Sequence, residues 1–532
     1  MPDRRGLFKV SAPERSHERQ VVGALGSIGA ATLASRVLGF ARDMVVALMF
    51  GAGPITDAFF VAFRIPNILR RLLAEGALST AVIPVFTDYA VNRPREALVR
   101  MLRAVLAASL LTLGLATLLG VIAAPWLLSI IAPGFSEPAQ RELAILLTRV
   151  MFPYLVLVGL GALAMGVLNS QGRFFAAALG PAVLNVGMIV AVLTLARRLD
   201  PPIVALAVGV LIGGAGQLLV QLPGLRALGL LVGPSRELNH PALVRVARLL
   251  LPAVFGLAAV QVMVFVNTLL ASLLPAGSIS FLYYADRVME FPLGIFGIAL
   301  ASASLPAMSR QAATGDTRGV ADTLNFALRL AVYVSAPATV GLVLLSAPIT
   351  RVLFERGRFG PDDTAATAIA LVWYAVGLIG FAGARIAAQA FYAIAEPATA
   401  VRMGVLAIAV NVVAAWVLMT VMGHAGLAAA SSLGAYVNLL GLLWAGRRRF
   451  GRLGGRALAA SLVRTTIACV PLGLWCVLVV RVGGTGGGLL REATWLTVAI
   501  VGGTAVFVAG SAALGSPERR ALWGMLPHRR RP

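Results

Sequence analysis

The sequence predicts an all-α polytopic membrane protein, with about fourteen transmembrane helices in two six-helix pseudo-symmetric lobes plus two C-terminal helices. Three observations predict it. Hydrophobic residues fill 59% of the 532 positions and charged residues only 13%, about half the charged share of an average soluble chain. So few polar groups cannot cover a soluble protein of this size, and lipid must be the solvent. Apolar runs of about 20 residues recur along the whole length, each long enough to cross a hydrocarbon core about 30 Å thick. The alternating segments of about 10 residues that mark a β-barrel are absent. Finally, a weak internal repeat relates the two halves.

Taken in order, a basic tail (1–21) comes first, without the short apolar stretch and cleavage site of a signal peptide. An N-terminal lobe (22–222) holds spans at 22–49, 56–88, 100–124, 144–168, 175–196 and 203–221. A basic linker (223–248) carries Arg226, Arg236, Arg245 and Arg248. A C-terminal lobe (249–446) holds spans at 249–273, 280–308, 322–346, 365–393, 403–421 and 426–445. Residues 447–514 carry two further spans (458–480 and 493–514), and a basic tail (515–532) ends the chain.

The net charge is +23, from 45 Lys and Arg against 22 Asp and Glu. Most of it is topological. With the N-terminus cytoplasmic, that side holds roughly 27 Lys/Arg against roughly 8 opposite, which places both termini in the cytoplasm. Nucleic acid is not an expected partner, because the arginines cluster between apolar runs. Cys469 and Cys476 share one apolar run and cannot bridge within a helix. The four histidines show no metal-ligand spacing, so neither a metal nor a cofactor is expected.

The repeat is seen where Ala124-Pro125 and Gly134 match Ala347-Pro348 and Gly357, 223 positions on. Ala62 and Arg64 match Ala285 and Arg287 at the same offset. Ala77-Leu78, Ala81 and Pro84 match Ala299-Leu300, Ala303 and Pro306 one residue short of it. Span two thus maps onto span eight, six spans later and in the same direction. Parallel repeats of this kind are a transporter architecture.

Charges inside the spans mark the functional candidates, since ionisable groups at membrane depth are costly and line cavities or meet partners. Asp57, Arg64 and Arg71 are seven apart and fall on nearly one helix face. Glu75 can pair with Arg71, while Arg70 points about 100° away. Pro66 should kink this span. In span one Arg36 and Arg42 flank Gly39, where a bend would bring both to one cavity, and Asp43 can neutralise part of Arg42. Span eight supplies Asp286, Arg287 and Glu290, with Arg287 and Glu290 adjacent on its surface. Arg385 in span ten is expected to be a further buried cation. Intramembrane arginine exceeds carboxylate, and guanidinium suits phosphate in a bidentate way. An anion, with phosphate or pyrophosphate the best match, is therefore the expected cargo. No Walker A motif occurs and no nucleophile stands with a base, so an enzyme is not expected.

SRVLGFARD (35–43), GAGPITDAFFVAFRIPNILRR (51–71) and AEGALSTAVIPVF (74–86) resemble the N-terminal signature of the MurJ (MviN) family of lipid II flippases. APGF after span three, FPY in span four, YYADRVMEFP and LPAMS in span eight, and HAGL before span twelve fit too. The resemblance implies the multidrug/oligosaccharidyl-lipid/polysaccharide exporter superfamily and translocation of lipid II between leaflets of the bacterial cytoplasmic membrane. It implies that Arg36, Arg42, Arg70 and Arg287 line a central cationic cavity accompanied by Asp43. Ser35, Asp57, Arg64, Arg71, Glu75, Asp286 and Glu290 are candidates for gating. Implied partners are lipid II, the bilayer and other cell-wall synthesis proteins. The last two spans would form a membrane-facing groove for the lipid tail. Some members are proposed to bind sodium in the second lobe. Span seven here offers Asn267 but no carboxylate, so membrane potential is the expected driver. Two other readings stand beside this one: an exporter of another lipid-linked or anionic glycan, and a non-transporting cell-wall scaffold.

Overall fold

The computed structural model describes residues 33–72, 79–483 and 488–525; these are helical, with turns and short loops and no strand among them. Helix α1 spans 33–50. It is followed by α2 (Pro54–Arg70), α3 (Ser79–Asn92), α4 (Arg95–Ile131), α5 (Pro138–Met151), α6 (Tyr154–Ser170), α7 (Phe175–Leu195), α8 (Val204–Leu219) and α9 (Leu222–Ala227). Then come α10 (Pro241–Ser272), α11 (Ser278–Pro292), α12 (Ile298–Ala313), α13 (Thr317–Leu344), α14 (Ser346–Phe354), α15 (Pro361–Val376) and α16 (Leu378–Ala393). The last are α17 (Pro397–Met422), α18 (His424–Phe450), α19 (Gly455–Gly483), α20 (Leu489–Ala513) and α21 (Pro517–Met525).

Among the described residues nine helices are long and apolar enough to cross a membrane, or ten if the bent pair α15–α16 is one span. Those ten correspond to expected spans three to six and nine to fourteen. The other four expected spans are also helical over their described residues, and each carries charges, a proline or π-type turns. Span one carries Arg36, Arg42 and Asp43, and its residues before 33 lie outside the described set. Span two contains Pro66, passes into π-type turns at 71–72, and resumes as α3. Span seven is the single helix α10, Pro241–Ser272, with Pro252 inside it. Span eight is split by a π-helical segment, Leu293–Gly297, directly after Pro292. Proline and π-bulges are the usual causes of such breaks.

The chain forms two compact units. The first comprises residues 1–46, 58–130 and 137–261; the second comprises 47–57, 131–136 and 262–532. The short segment 47–57 therefore belongs with the C-terminal half.

In the first unit, Phe86 of α3, Met101 of α4, Leu168 of α6 and Val246 of α10 share a buried apolar cluster. Beside it α7 and α8 pack backbone to backbone. A Cβ on Gly187 would lie 2.6 Å from the Gly213 Cα, and one on Gly213 would lie 2.7 Å from the Leu184 carbonyl oxygen. Small residues are what membrane helices need for such an approach, because hydrocarbon offers no hydrophobic drive for helices to associate.

In the second unit, the α15–α16 pair bends by 40° at Gly377. The carbonyls freed there are taken by α18: Ser432 Oγ donates to Trp373 O at 2.6 Å and Tyr436 OH donates to Val376 O at 2.8 Å. Broken backbone inside a membrane protein persists only where such donors stand by. Helices α20 and α21 are tied to α13. Tyr333 OH meets Ser511 Oγ at 2.8 Å, and Arg329 Nε donates to Glu518 Oε1 at 2.6 Å. Ser516 Oγ donates to the other Glu518 oxygen at 2.8 Å. Burial pushes the Glu518 carboxyl up. Hydrogen bonds from its own backbone N–H, Ser516 and Arg329 outweigh that, so its pKa falls below the usual glutamate value.

Two expected outcomes follow from this packing. Gly213→Leu drives a side chain into the α7 backbone and lowers stability by about 1–3 kcal/mol, read as an earlier thermal unfolding transition in detergent. A carboxyl held at a depressed pKa stabilises the fold above its unfolded pKa and loses that contribution as pH falls through the folded value. Amide exchange in α21 should therefore accelerate on acidification below the carboxylate range. Glu518→Ala should expose the helix at neutral pH, since removing one partner of a buried pair costs about 3–5 kcal/mol.

Candidate functional site

Helix α1 places the most deeply buried of the candidate cations. Arg42 is 8% exposed and Asp43 1%. The guanidinium donates twice to Asp43 Oδ1, from Nε at 3.0 Å and from Nη2 at 2.6 Å. Its Nη1 donates to Asn185 Oδ1 of α7 at 3.1 Å and lies 4.0 Å from Met188 Sδ. Asn185 in turn donates from Nδ2 to the Ser35 carbonyl at 3.2 Å. Gly39 makes room for this: a Cβ there would sit 3.3 Å from Asn185 Nδ2. Asn185 thus spans α1 from Ser35 to Arg42, across two helical turns, and fixes the guanidinium in a low-dielectric setting where an unpaired charge would be very costly. The structure joins Ser35, Arg42 and Asp43 in one cluster. It does not join Arg36 to them. Helix α1 runs unbroken through Gly39, Arg36 is exposed and Arg42 is buried.

Along α2, burial falls from Asp57 through half-buried Arg64 to exposed Arg71. Arg70 is half-buried and donates from Nε and Nη2 to Asn67 Oδ1 one turn back, at 2.9 and 2.8 Å. Glu75 lies outside the described residues.

Asp57 belongs to the segment 47–57 of the second unit, where it caps α11. Its Oδ2 accepts from Gly277 N at 2.6 Å, and its Oδ1 accepts from Ser280 N at 2.8 Å and Ser280 Oγ at 2.6 Å. Gly277 adopts φ +93° before the helix, a conformation that side chains resist and glycine takes freely. An anion at exposed helix N–H groups is stabilised both by hydrogen bonds and by the helix dipole. Other contacts seat the same segment. Tyr284 OH donates to Gly51 O at 3.3 Å, and Arg358 N donates to Leu48 O at 3.0 Å. One turn further along α11, Arg287 Nη1 donates to Glu290 Oε2 at 2.8 Å, Nη2 donates to Tyr283 OH at 3.3 Å, and the guanidinium carbon lies 5.1 Å from the Tyr283 ring centroid. Asp286 is half-buried beside it.

Arg385 is exposed on α16, not buried as its place in an apolar run suggested. An arginine in such a run reaches outward as readily as inward, and hydropathy does not distinguish the two. Sequence reasoning missed Asn185, Ser280 and Tyr284. Asn185 had a signal, as a lone amide in span five. Ser280 had a stronger one, since it stands 223 residues after Asp57, the spacing of the internal repeat. Elsewhere in the second unit, α14, α19 and α20 line a small cleft with Arg351, Glu492 and Trp495 at its wall.

Apolar helices long enough to span a bilayer, together with a buried Arg42–Asp43 pair on α1, define a multi-pass membrane protein. The described helices match the solved structure "Lipid II flippase MurJ, inward closed conformation" with a TM-score of 0.77 at 23% identity, over 92% of this chain and 98% of that one. They also match an inward-facing multidrug resistance MATE family transporter of the MOP superfamily, with a TM-score of 0.66 at 17% identity, over 79% of this chain and 96% of that one. These likenesses establish the fold. The family profile described as "Lipid II flippase MurJ" matches residues 46–489. The probable lipid II flippase MurJ of Vibrio cholerae is 38% identical over 449 residues, 81% of this chain and 83% of that protein. The lipid II flippase MurJ of Burkholderia cenocepacia is 37% identical over 462 residues, 85% and 89% of the two chains. The chain belongs to the lipid II flippase MurJ family.

Asp57→Ala removes the acceptor of three hydrogen bonds and leaves the start of α11 uncapped. It is expected to cost about 1–3 kcal/mol and to raise amide exchange at Gly277 and Ser280. Asp57→Asn, which keeps an acceptor but not the charge, should fall between the two.

Proposed function

We propose that this protein translocates lipid II, the peptidoglycan precursor carried on a polyprenyl pyrophosphate, from the cytoplasmic to the outer leaflet of the bacterial cytoplasmic membrane. The observation that carries this reading is the family match across residues 46–489, joined to relatives that bear the flippase name along more than four-fifths of their length. The arginine excess inside the spans supports an anionic cargo. Both termini face the cytoplasm in this reading, as the asymmetry of the basic loops requires.

The proposed mechanism is alternating access. The same fold is known in both inward-facing and outward-facing forms among MATE transporters. Arg36, Arg42, Arg70 and Arg287 serve as phosphate ligands, with Asp43 as a competitor for Arg42. In the described state Asp43 holds two donors of that guanidinium. A pyrophosphate offers the same bidentate geometry with more charge, so it exchanges with the carboxylate without leaving the cation bare. Asn185 keeps the guanidinium aimed during the exchange. Asp57 is a gating group: the cap on α11 is made in this state and released in the other. A ligand shifts such an equilibrium only by its differential affinity for the two states, and exchange at Arg42 supplies that difference. Membrane potential can supply the rest, at about 2.3 kcal/mol per elementary charge across 100 mV.

The test is a leaflet-accessibility assay with fluorescent lipid II in vesicles holding the purified protein. Arg42→Ala and Arg287→Ala are each expected to slow translocation by about tenfold or more, while the variants still insert and keep their helicity. Wild-type rates in both would overturn the anion-ligand assignment. Equal transport of a neutral polyprenyl glycoside would overturn the pyrophosphate as the recognised group.

A further inference from the structure

The first unit holds a second charged feature, apart from Arg42. After α9 the chain runs back across the start of α4 as a strap over residues 228–235. Arg95 Nη2 donates to the Leu228 carbonyl at 2.9 Å, Arg103 Nε donates to the Gly233 carbonyl at 3.3 Å, and Ser235 N donates to the Arg103 carbonyl at 3.1 Å. Two cavities adjoin beneath and beside this strap. One is lined entirely by apolar side chains, among them Leu102 and Leu106 of α4, Leu163 and Val167 of α6, Leu225 of α9 and Leu231 of the strap. The other is lined by Arg93, Arg95, Gln171, Leu98 and Leu228. Leu230 lines both, so the basic cavity and the apolar cavity meet at one side chain.

Each cavity alone restricts its occupant. Protein interiors are packed with few voids larger than a water molecule, and a wall without polar groups gives water no partners. The apolar cavity therefore suits hydrocarbon. The basic cavity presents two guanidiniums and an amide, which suit phosphate oxygens. The nearby carboxylate of Asp88 is already paired with Arg245 at 2.6 Å and accepts from Asn92, which leaves the local balance cationic. A neutral lipid would fill the first cavity and ignore the second; a soluble anion would do the reverse. We propose that the joined cavities form a binding site for an anionic glycerophospholipid of the bilayer, with its headgroup phosphate on Arg93, Arg95 and Gln171 and one acyl chain laid past Leu230 among the leucines of α4, α6 and α9. Basic pockets beside transmembrane helices are a recurrent setting for such headgroups. The bound lipid completes the packing under the strap and holds residues 228–235 against α4. This site does not rest on the lipid II reading.

The experiment uses the full chain in phosphatidylcholine nanodiscs doped with phosphatidylglycerol bearing a photoreactive diazirine in one acyl chain, with labelled peptides mapped by mass spectrometry. Label should concentrate on peptides holding Leu102–Leu106, Leu163–Val167 and Leu225–Leu231. Arg93→Gln with Arg95→Gln should reduce that labelling about tenfold, and Val167→Trp, which fills the apolar cavity, should reduce it as far. Should the double variant fold poorly by circular dichroism, Arg93→Gln alone, at an exposed position before α4, serves in its place. Retained labelling in these variants would overturn the proposal. So would equal labelling by the phosphatidylcholine analogue, which would make the cavity a general hydrocarbon slot. Displacement by millimolar glycerol phosphate would overturn it too, by identifying a soluble anion as the occupant.

Discussion

A guanidinium cannot stand bare inside an apolar helical unit, and that constraint organises the first fifty described residues. Buried Arg42 is met by Asp43 and Asn185. Asn185 can reach only because residue 39 is glycine, and α7 is held in place by the glycine contacts with α8. One charge thus sets requirements on three helices. Such a pair adds little net stability, because desolvation offsets most of the Coulombic gain. Its value lies in specificity: one arrangement satisfies it and neighbouring arrangements do not. A protein that must bind and release an anion gains from a cation already desolvated and already aimed, whose internal partner can be exchanged for an external one.

The same economy governs Asp57. Its carboxylate satisfies two backbone N–H groups and a hydroxyl at the start of α11, groups that would otherwise lack acceptors in a dry setting. The contact is local, made of a few hydrogen bonds, and reversible at the scale of a few kcal/mol. That is the energy range in which a substrate, a potential or a proton can tip a conformational balance.

Hydropathy and length made ten of the spans legible, because those runs carry few charges, although one of them, α15–α16, is bent by 40° at Gly377. Spans one, two, seven and eight were legible as apolar stretches, and the helices that form there carry charges, prolines or π-type turns whose effect their hydropathy does not show. Pro66, Pro292 and the π-type turns reshape two of them, and a window average does not register such breaks. At the site, Asp43 as the neutraliser of Arg42 and the Arg287–Glu290 pair could be read from adjacency along the chain. Asn185 was visible only as a lone amide, and its partner, like that of Tyr284, depends on packing between elements far apart in sequence. The expectation that Arg36 joins Arg42 relied on a bend at Gly39. That glycine makes room for the Asn185 amide instead, and α1 stays helical through it. Arg385 shows the limit of reading charge in an apolar run as buried charge.

Asp57 and Ser280 occupy matching places in the two halves of the sequence repeat, yet they touch each other. Two copies of one polypeptide around a symmetry axis would have to place the same residue at both places. Two aspartates there would repel, and two serines would leave both helix starts without a negative charge. Acceptor and donor can differ only when both halves are written into one chain and free to diverge. Fusion of the repeat therefore permits an acceptor–donor contact that a symmetric dimer of one polypeptide could not make.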